Sequence, residues 1–137
     1  MADDAHGPAH YRAHRYGVKV WFGSEKPNRE HYEAQVLNRR HVDGTEGVVL
    51  EVGFHSEHKD PAANHDVLER VTKKKMALKK ALGSAAEAGG FYGRPDDWVR
   101  VSETWEKFSL EDPDISFEMA GRLIDYIDTI EPLREKA

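Results

Sequence analysis

The sequence of 137 residues contains no cysteine, which excludes disulfide bonds and thiol chemistry. It has no apolar run long enough to span a bilayer, and residues 1–6 lack the basic start and apolar stretch of a signal peptide. Basic residues are also in deficit, with 20 Lys and Arg against 25 Asp and Glu. Because nucleic-acid binding draws on clustered Lys and Arg, we expect no nucleic-acid partner. The lack of cysteine, of a signal peptide and of an apolar span leads us to expect a cytoplasmic protein without a membrane anchor.

Several catalytic motifs are absent as well. There is no Gly-x-Ser-x-Gly elbow and no phosphate-binding loop of the Walker or Rossmann kind. Three Trp, five Tyr and five Phe nevertheless supply the apolar bulk of a folded core. The length predicts one domain over residues 11–137, preceded by a flexible tail over residues 1–10 that contains Gly7 and Pro8.

Alternation of apolar and polar residues predicts four strands. A turn sequence at Asp43 and Gly44 favours antiparallel pairing of the second and third. Residues 31–37 also contain good helix formers, so a short helix competes there, although we favour a strand. The predicted strands are residues 18–22, 31–37, 48–55 and 98–105.

Helical periodicity marks two further segments. Asp60 and Pro61 form a helix start, and an apolar stripe then runs through residues 67–82 to a stop at Gly83. A second helix follows the cap at residues 112–114 and runs from Ile115 to Ile130. Residues 84–97 are predicted to be a loop. The fold class is therefore α+β, an antiparallel sheet of about four strands with two long helices packed on one face.

The apolar surface of the second predicted helix is wider than one sheet would cover. It includes Phe117, Ile124 and Ile127 on one side and Met119 on the other. Such width indicates either a deeply packed helix or a homodimer formed through this C-terminal helix.

Strand parity separates an apolar sheet face from a polar one, because side chains alternate between the two faces. The apolar face carries Val, Tyr, Ala, Leu and Phe, and both helices are expected to pack against it. The polar face supplies the candidate ligand-binding residues Lys19, Trp21, Glu33, Gln35, Glu51, His55, Trp98 and Arg100. Three interpretations remain open: a solvated face with paired charges, a surface that binds a small-molecule or peptide ligand, and a subunit contact.

The segment from His55 to His58 offers nitrogen and oxygen ligands of the kind that zinc accepts. On a strand, however, His55 and His58 point to opposite faces and converge only if the chain turns at Ser56. Glu51 and His55 share a face, but at the usual strand rise they lie about 13 Å apart. The sequence therefore places them too far from each other to act in one metal site.

His6, His10 and His14 recur at every fourth residue, the spacing that aligns side chains on a helix. Gly7 and Pro8 interrupt that helix. The segment is therefore interpreted as part of a flexible, histidine-bearing tail.

Several stretches together resemble a family of small stand-alone bacterial proteins with no assigned activity. They are residues 16–23, 31–33, 53–58 and 100–105. The resemblance covers most of the chain and implies a compact fold without catalytic residues to transfer. A looser similarity links the part from Val48 to Trp105 to domains attached to restriction or other DNA-processing proteins.

Two functional hypotheses follow. The first is a non-enzymatic ligand-binding or interaction module that uses the polar, Trp-containing face and needs no cofactor. The alternative is a metal-dependent hydrolase or nuclease in which His55, Glu57 and His58 hold a divalent ion.

Overall fold

The computed structural model describes residues 8–23, 29–109 and 111–135. Within them the chain forms one antiparallel sheet of six strands in the spatial order β1-β2-β3-β4-β6-β5. The strands are β1 (Ala9–His14), β2 (Gly17–Phe22), β3 (Glu30–Asn38), β4 (Val48–Ser56), β5 (Glu87–Phe91) and β6 (Arg94–Trp105). The helices are α1 (Arg39–Val42), α2 (Pro61–Thr72), α3 (Lys75–Leu82) and α4 (Ile115–Glu135).

The α+β class and the antiparallel sheet are confirmed, but the prediction of about four strands is wrong. Strand β1 lies partly in the predicted tail, of which residues 1–7 are outside the described residues. One of its faces carries His10, Arg12 and His14, which lie opposite Trp21, Lys19 and Gly17 of β2. Periodicity alone could not separate such an edge strand from a tail.

Strand β5 occupies part of the segment predicted to be a loop. Two adjacent glycines, Gly89 and Gly90, are typical of a loop, yet both are paired with β6. A Cβ atom at Gly90 would lie 2.6 Å from the carbonyl oxygen of Pro95, so glycine is needed there for close approach of two strands.

The prediction of two long helices is also corrected. Asp60 caps α2 as expected, its side chain accepting a hydrogen bond from the backbone N–H of Ala62. The helix then breaks at Lys73 and Lys74, and α3 begins at Lys75. No residue between Val71 and Leu78 is buried, so no packing interaction holds the chain in one continuous helix across this turn.

Helices α2 and α4 pack on the apolar face of the sheet, and α3 packs against both of them and adds Leu78 and Leu82 to the core. Tyr32, Val52 and Phe54 contribute from the central strands, and Tyr126 and Ile130 from α4. Val48, expected in this core, is instead 44% exposed at the end of β4. Phe117 and Ile124 of α4 are exposed too.

No helix in the described ranges is long and apolar enough to cross a membrane.

At Gly53, in the middle of β4, the backbone of β6 approaches so closely that a side chain would not fit. A Cβ atom there would lie 2.4 Å from the Val101 carbonyl oxygen and 2.5 Å from Ser102 Cα. We expect Gly53→Ala to lower the free energy of unfolding in urea by more than about 2 kcal/mol, because backbone atoms must shift.

Gly89→Ala in β5 is the matched control, because a Cβ atom at Gly89 would meet nothing within 4 Å. It should change the free energy of unfolding by less than about 1 kcal/mol. Equal stability of the two variants would contradict the assigned register of β4 and β6.

Candidate metal centre on the polar face of the sheet

The register of the central strands arranges polar side chains in rows across the sheet face that the helices leave free. His31 lies opposite His55, and His55 lies opposite Arg100 on the next strand. In the adjacent row, Glu33 lies opposite Gly53 and Gly53 opposite Ser102. Directly opposite residues have Cβ atoms only about 5 Å apart, so these side chains must interact.

This polar face is buried even though α2 and α4, the helices that pack on the described part of the sheet, lie on its other side. Glu51 and His55 are 0% exposed, His31 is 2% exposed and Glu33 is 4% exposed. The cover includes the tip of the β5–β6 hairpin, where the Phe91 ring lies 4.8 Å from the His55 ring. Buried ionisable groups are costly unless paired, so their hydrogen bonds decide what this site is.

Both oxygens of the buried Glu51 carboxylate are hydrogen-bonded. One oxygen accepts a hydrogen bond from Ser102 Oγ at 2.7 Å and lies 2.9 Å from His55 Nε2. The other oxygen accepts a bond from Gln35 Nε2 at 2.8 Å. Glu51 thereby fixes the orientation of the His55 ring.

The direct contact between Glu51 and His55 corrects the expectation that the two are too far apart to act together. The strand rise separates the backbones of Glu51 and His55, whereas their side chains lean toward each other along the strand. The residue between them on this face is Gly53, which has no side chain to keep them apart.

Four ligand atoms form a closed ring beside Glu51. Glu33 Oε1 lies 3.2 Å from both His31 Nε2 and His55 Nδ1. Glu57 Oε2 closes the ring at 3.8 Å from His31 Nε2 and 3.6 Å from His55 Nδ1. All four atoms lie within 4.8 Å of one another, with carboxylate oxygens and imidazole nitrogens alternating.

The four neighbouring separations, 3.2–3.8 Å, are close to those of ligands around one small cation, and the two diagonal pairs, which lie within 4.8 Å, would have to draw together when an ion binds. A tetrahedral zinc ion at 2.0–2.1 Å from each ligand would place neighbouring ligand atoms about 3.4 Å apart. The donor set of two imidazoles and two carboxylates suits zinc and similar first-row divalent ions. Glu51 would then be the carboxylate behind a metal-bound histidine, an arrangement that orients the ring and raises its basicity.

The hydrogen-bonding roles of the two His55 nitrogens indicate a positive charge among the four ligand atoms. If the Nε2 proton of a neutral His55 is donated to Glu51, the unprotonated Nδ1 faces the oxygens of Glu33 and Glu57. A lone pair facing carboxylates is repulsive. Either a second proton on His55 or a bound cation removes that repulsion.

Without a metal, the surroundings favour the doubly protonated form of His55. Burial acts against the charged ring, but the attraction of Glu51 and the hydrogen bonds with Glu33 and Glu51 raise the pKa of His55 to about 10. Burial alone would raise the pKa of Glu33, yet hydrogen bonds with His31 and His55 hold that pKa well below its usual range. The pKa of Glu51 is lowered too, chiefly by His55, against the opposing effect of burial.

Glu57 lies just beyond the end of β4 and is held in place from both sides. Its backbone N–H donates to the Arg29 carbonyl at 2.8 Å. Asn64 of α2 accepts from Ser56 Oγ at 2.8 Å and from the His58 N–H at 2.7 Å. The first turn of α2 therefore anchors the segment that carries the fourth ligand atom.

Of the candidate residues on the polar face, Glu33, Gln35, Glu51 and His55 form one connected network. Arg100 joins it through Ser102, with one guanidinium nitrogen 2.9 Å from Ser102 Oγ. The remaining three candidates lie around its margin. Lys19 pairs with Glu33 across strands, Trp21 stacks on His10, and Trp98 contacts Phe91.

His58 is not part of the ring, contrary to the set of His55, Glu57 and His58 named for a metal site. Its Nε2 lies 2.8 Å from Glu30 Oε2, because the chain does not turn back at Ser56. Glu57 and His55 do converge, since they lie two residues apart on the same side of the chain.

Two histidines of the site were missed as candidates. His31 has the same strand parity as Glu33, so the alternation pattern could have identified it. His14, interpreted as part of a tail, lies on β1 with Nε2 2.8 Å from Glu33 Oε2. Its spacing of four from His10 keeps both on one face of a strand as well as on one face of a helix.

Comparison of the chain with protein-family models, with curated proteins and with solved structures finds no significant match in any of the three. No residue role is therefore carried over from another protein.

The raised pKa of His55 makes the stability of the metal-free protein depend on pH. The stabilisation is fully present below the ordinary value of 6.5 and is lost as the pH rises toward about 10, where the folded state also releases the proton. The lowered pKa values of Glu33 and Glu51 act in the opposite direction, so their contribution is lost as the pH falls below 4.5. Urea unfolding at a series of pH values should show maximum stability between these limits.

His55→Gln should weaken the loss of stability on the alkaline side. His58→Gln, outside the ring, should retain it. A wild-type stability that stays constant from pH 6.5 to 10 would contradict the protonated His55.

Proposed function

We propose that this protein is a non-enzymatic binding module whose ligand is a divalent transition-metal ion on the polar sheet face. The ion is held by His31, Glu33, His55 and Glu57. The observation that supports this function is the closed ring of four alternating oxygen and nitrogen atoms, with neighbouring atoms 3.2–3.8 Å apart. The binding face is the polar sheet face expected from strand parity, and the ligand that it binds is a cation.

The burial of the site favours binding over catalysis. Four protein atoms are available to fill all four positions of a tetrahedral shell, whereas catalytic zinc sites keep one position for water or substrate. Three of the four residues are no more than 4% exposed. Zinc is the expected ion, because it accepts both imidazole nitrogens and carboxylate oxygens as ligands. Calcium and magnesium instead prefer sites made of oxygen ligands alone.

The charges of the site also favour a cation. Three carboxylates, from Glu33, Glu51 and Glu57, surround two imidazole rings. Carboxylate ligands must be ionised and imidazole ligands unprotonated at the bound nitrogen. The lowered pKa of Glu33 meets the first condition for that ligand, and displacement of the proton from His55 Nδ1 would meet the second for His55.

The test uses protein purified without an affinity tag, stripped with EDTA and titrated with Zn²⁺ by calorimetry. We expect one ion per chain and a higher melting temperature in its presence, since a ligand that binds only the folded state stabilises it. Glu33→Gln should weaken binding by at least about 100-fold, because even residues behind the ligands contribute 10–100-fold.

Glu30→Gln is the matched control, since it makes the same change three residues earlier on β3. Glu30 bonds to His58 and Arg134 rather than to the ring, so zinc affinity should be unchanged. His31→Gln provides a second ligand variant if Glu33→Gln fails to fold. A folded wild type that binds no divalent ion would refute the proposal.

A second candidate function, a metal-dependent hydrolase, is favoured by the position of Glu57. Its contacts with the imidazoles are 3.6 and 3.8 Å, against 3.2 Å for Glu33, and its side chain is 15% exposed. With only His31, Glu33 and His55 on the metal, Glu57 would lie where a general base could accept a proton from metal-bound water.

Glu57→Gln separates the two functions. A metal ligand predicts a large loss of zinc affinity. A general base predicts affinity within about threefold of the wild type together with loss of zinc-dependent hydrolysis of p-nitrophenyl acetate or bis-p-nitrophenyl phosphate. Absence of hydrolysis by the zinc-loaded wild type would exclude the hydrolase for these two substrate types.

A further inference from the structure

The apolar face of the sheet is only partly covered by the helices. Helix α4 packs on β3 and β4, and α2 packs mainly on β6. Among the described residues, no helix lies over the β1–β2 hairpin as a further layer. Val18 and Val20 are therefore only half-buried, and Tyr11, opposite Val20 on β1, is 77% exposed.

A cavity of about 1030 Å³ lies between this hairpin and the first half of α4. Val18 and Val20 line it from the sheet, and Met119, Leu123 and Ile127 line it from the helix. We refer to it as the hairpin cavity. Its volume is at the upper end of the roughly 300–1,000 Å³ of pockets that hold small molecules.

The chemistry of the lining restricts the occupant. Asp128 is the one charged residue lining the cavity in the described part of the chain, and no Lys or Arg lines it. An anionic lipid head would therefore be desolvated beside the Asp128 carboxylate, and none of the described lining residues is a Lys or Arg that could pair with that head. Tyr16 and Ser116 supply polar groups at the lining, enough to hydrogen-bond one neutral head group.

The shape favours a small molecule over a second copy of the chain. The walls come from two layers, the sheet and α4, so the cavity is concave. A symmetric contact between two copies instead requires a patch that fits itself, and a stable one buries about 800 Å² on each partner.

We propose that the hairpin cavity binds a neutral, mostly hydrocarbon small molecule with a single hydrogen-bonding head, such as a medium-chain alcohol. This site lies on the opposite face of the sheet from the metal ring and does not depend on the proposed metal. It assigns a second ligand class to the same domain.

The experiment measures fluorescence of the neutral probe N-phenyl-1-naphthylamine on the full chain, with 1-dodecanol, dodecanoate and dodecylamine as competitors. We expect saturable probe binding that dodecanol displaces, with dodecanoate at least about tenfold weaker because its carboxylate would be buried unpaired. Equal competition by dodecanoate would overturn the neutral-ligand assignment. Stronger competition by dodecylamine than by dodecanol would show that Asp128 recruits a cation instead, and would overturn it as well.

Two substitutions test the location. Ala120 lines the cavity from an exposed position on α4, so Ala120→Trp should fill it and reduce probe affinity by at least about tenfold without removing a core contact. Ala81→Trp makes the same change on an exposed position of α3 outside the cavity and should leave probe affinity unchanged. Unchanged affinity in a folded Ala120→Trp protein would overturn the site.

Light scattering after size-exclusion chromatography tests whether a second copy of the chain, rather than a small molecule, fills the hairpin cavity. A wild type that is dimeric without probe, and that Ala120→Trp converts to a monomer, would show that a second copy fills the cavity. A monomeric wild type that binds the probe supports the small-molecule site.

Discussion

The structure depends on one buried interaction, the contact of the His55 ring with a carboxylate on each of its two nitrogens. Glu51 lies at Nε2 and Glu33 at Nδ1, and all three residues are at most 4% exposed. Burial of such groups is unfavourable unless every charge is paired and every hydrogen bond is made. The central sheet provides this pairing because β3, β4 and β6 bring their polar positions into register.

Much of the surrounding architecture is consistent with protecting that interaction from water. The β5–β6 hairpin places Phe91 against the His55 ring, and the Arg100 guanidinium lies 3.9 Å from the centre of the Tyr92 ring. Arg100 Nε is a buried polar atom without a hydrogen-bond partner, so the cover is not a fully satisfied polar network. A polar sheet face whose charges were merely solvated would not need such a cover. This is one reason to interpret the polar face as a binding site.

The two sheet faces thus differ in how they are closed. The polar face is sealed by a hairpin and carries converging ligand atoms, whereas the apolar face is packed under helices at its centre and left open beside β1 and β2. Neither property follows from fold class, because α+β sheets host unrelated functions. Both follow from where this chain places particular side chains, which is why the proposed functions rest on sites.

Alternation along single strands was sufficient to assign faces correctly for Glu33, Glu51, His55 and Arg100. It failed where the sequence departs from simple patterns. The polar β1 resembled a tail, and Gly89 and Gly90 resembled a loop although they serve close strand packing. The apolar stripe from Val67 to Leu82 predicted one helix, because periodicity does not register the lack of buried contacts near Lys74.

The sequence by itself determined the α+β class, the antiparallel pairing and the parity that gives each strand a polar and an apolar face, because these depend on local periodicity and turn residues. Only the tertiary structure decided which side chains meet. His31 joins His55 because β3 and β4 pair in one register, and Glu51 reaches His55 because Gly53 leaves space between them. Such contacts depend on the direction of side chains and on distances between strands far apart in sequence, which no single-strand pattern contains.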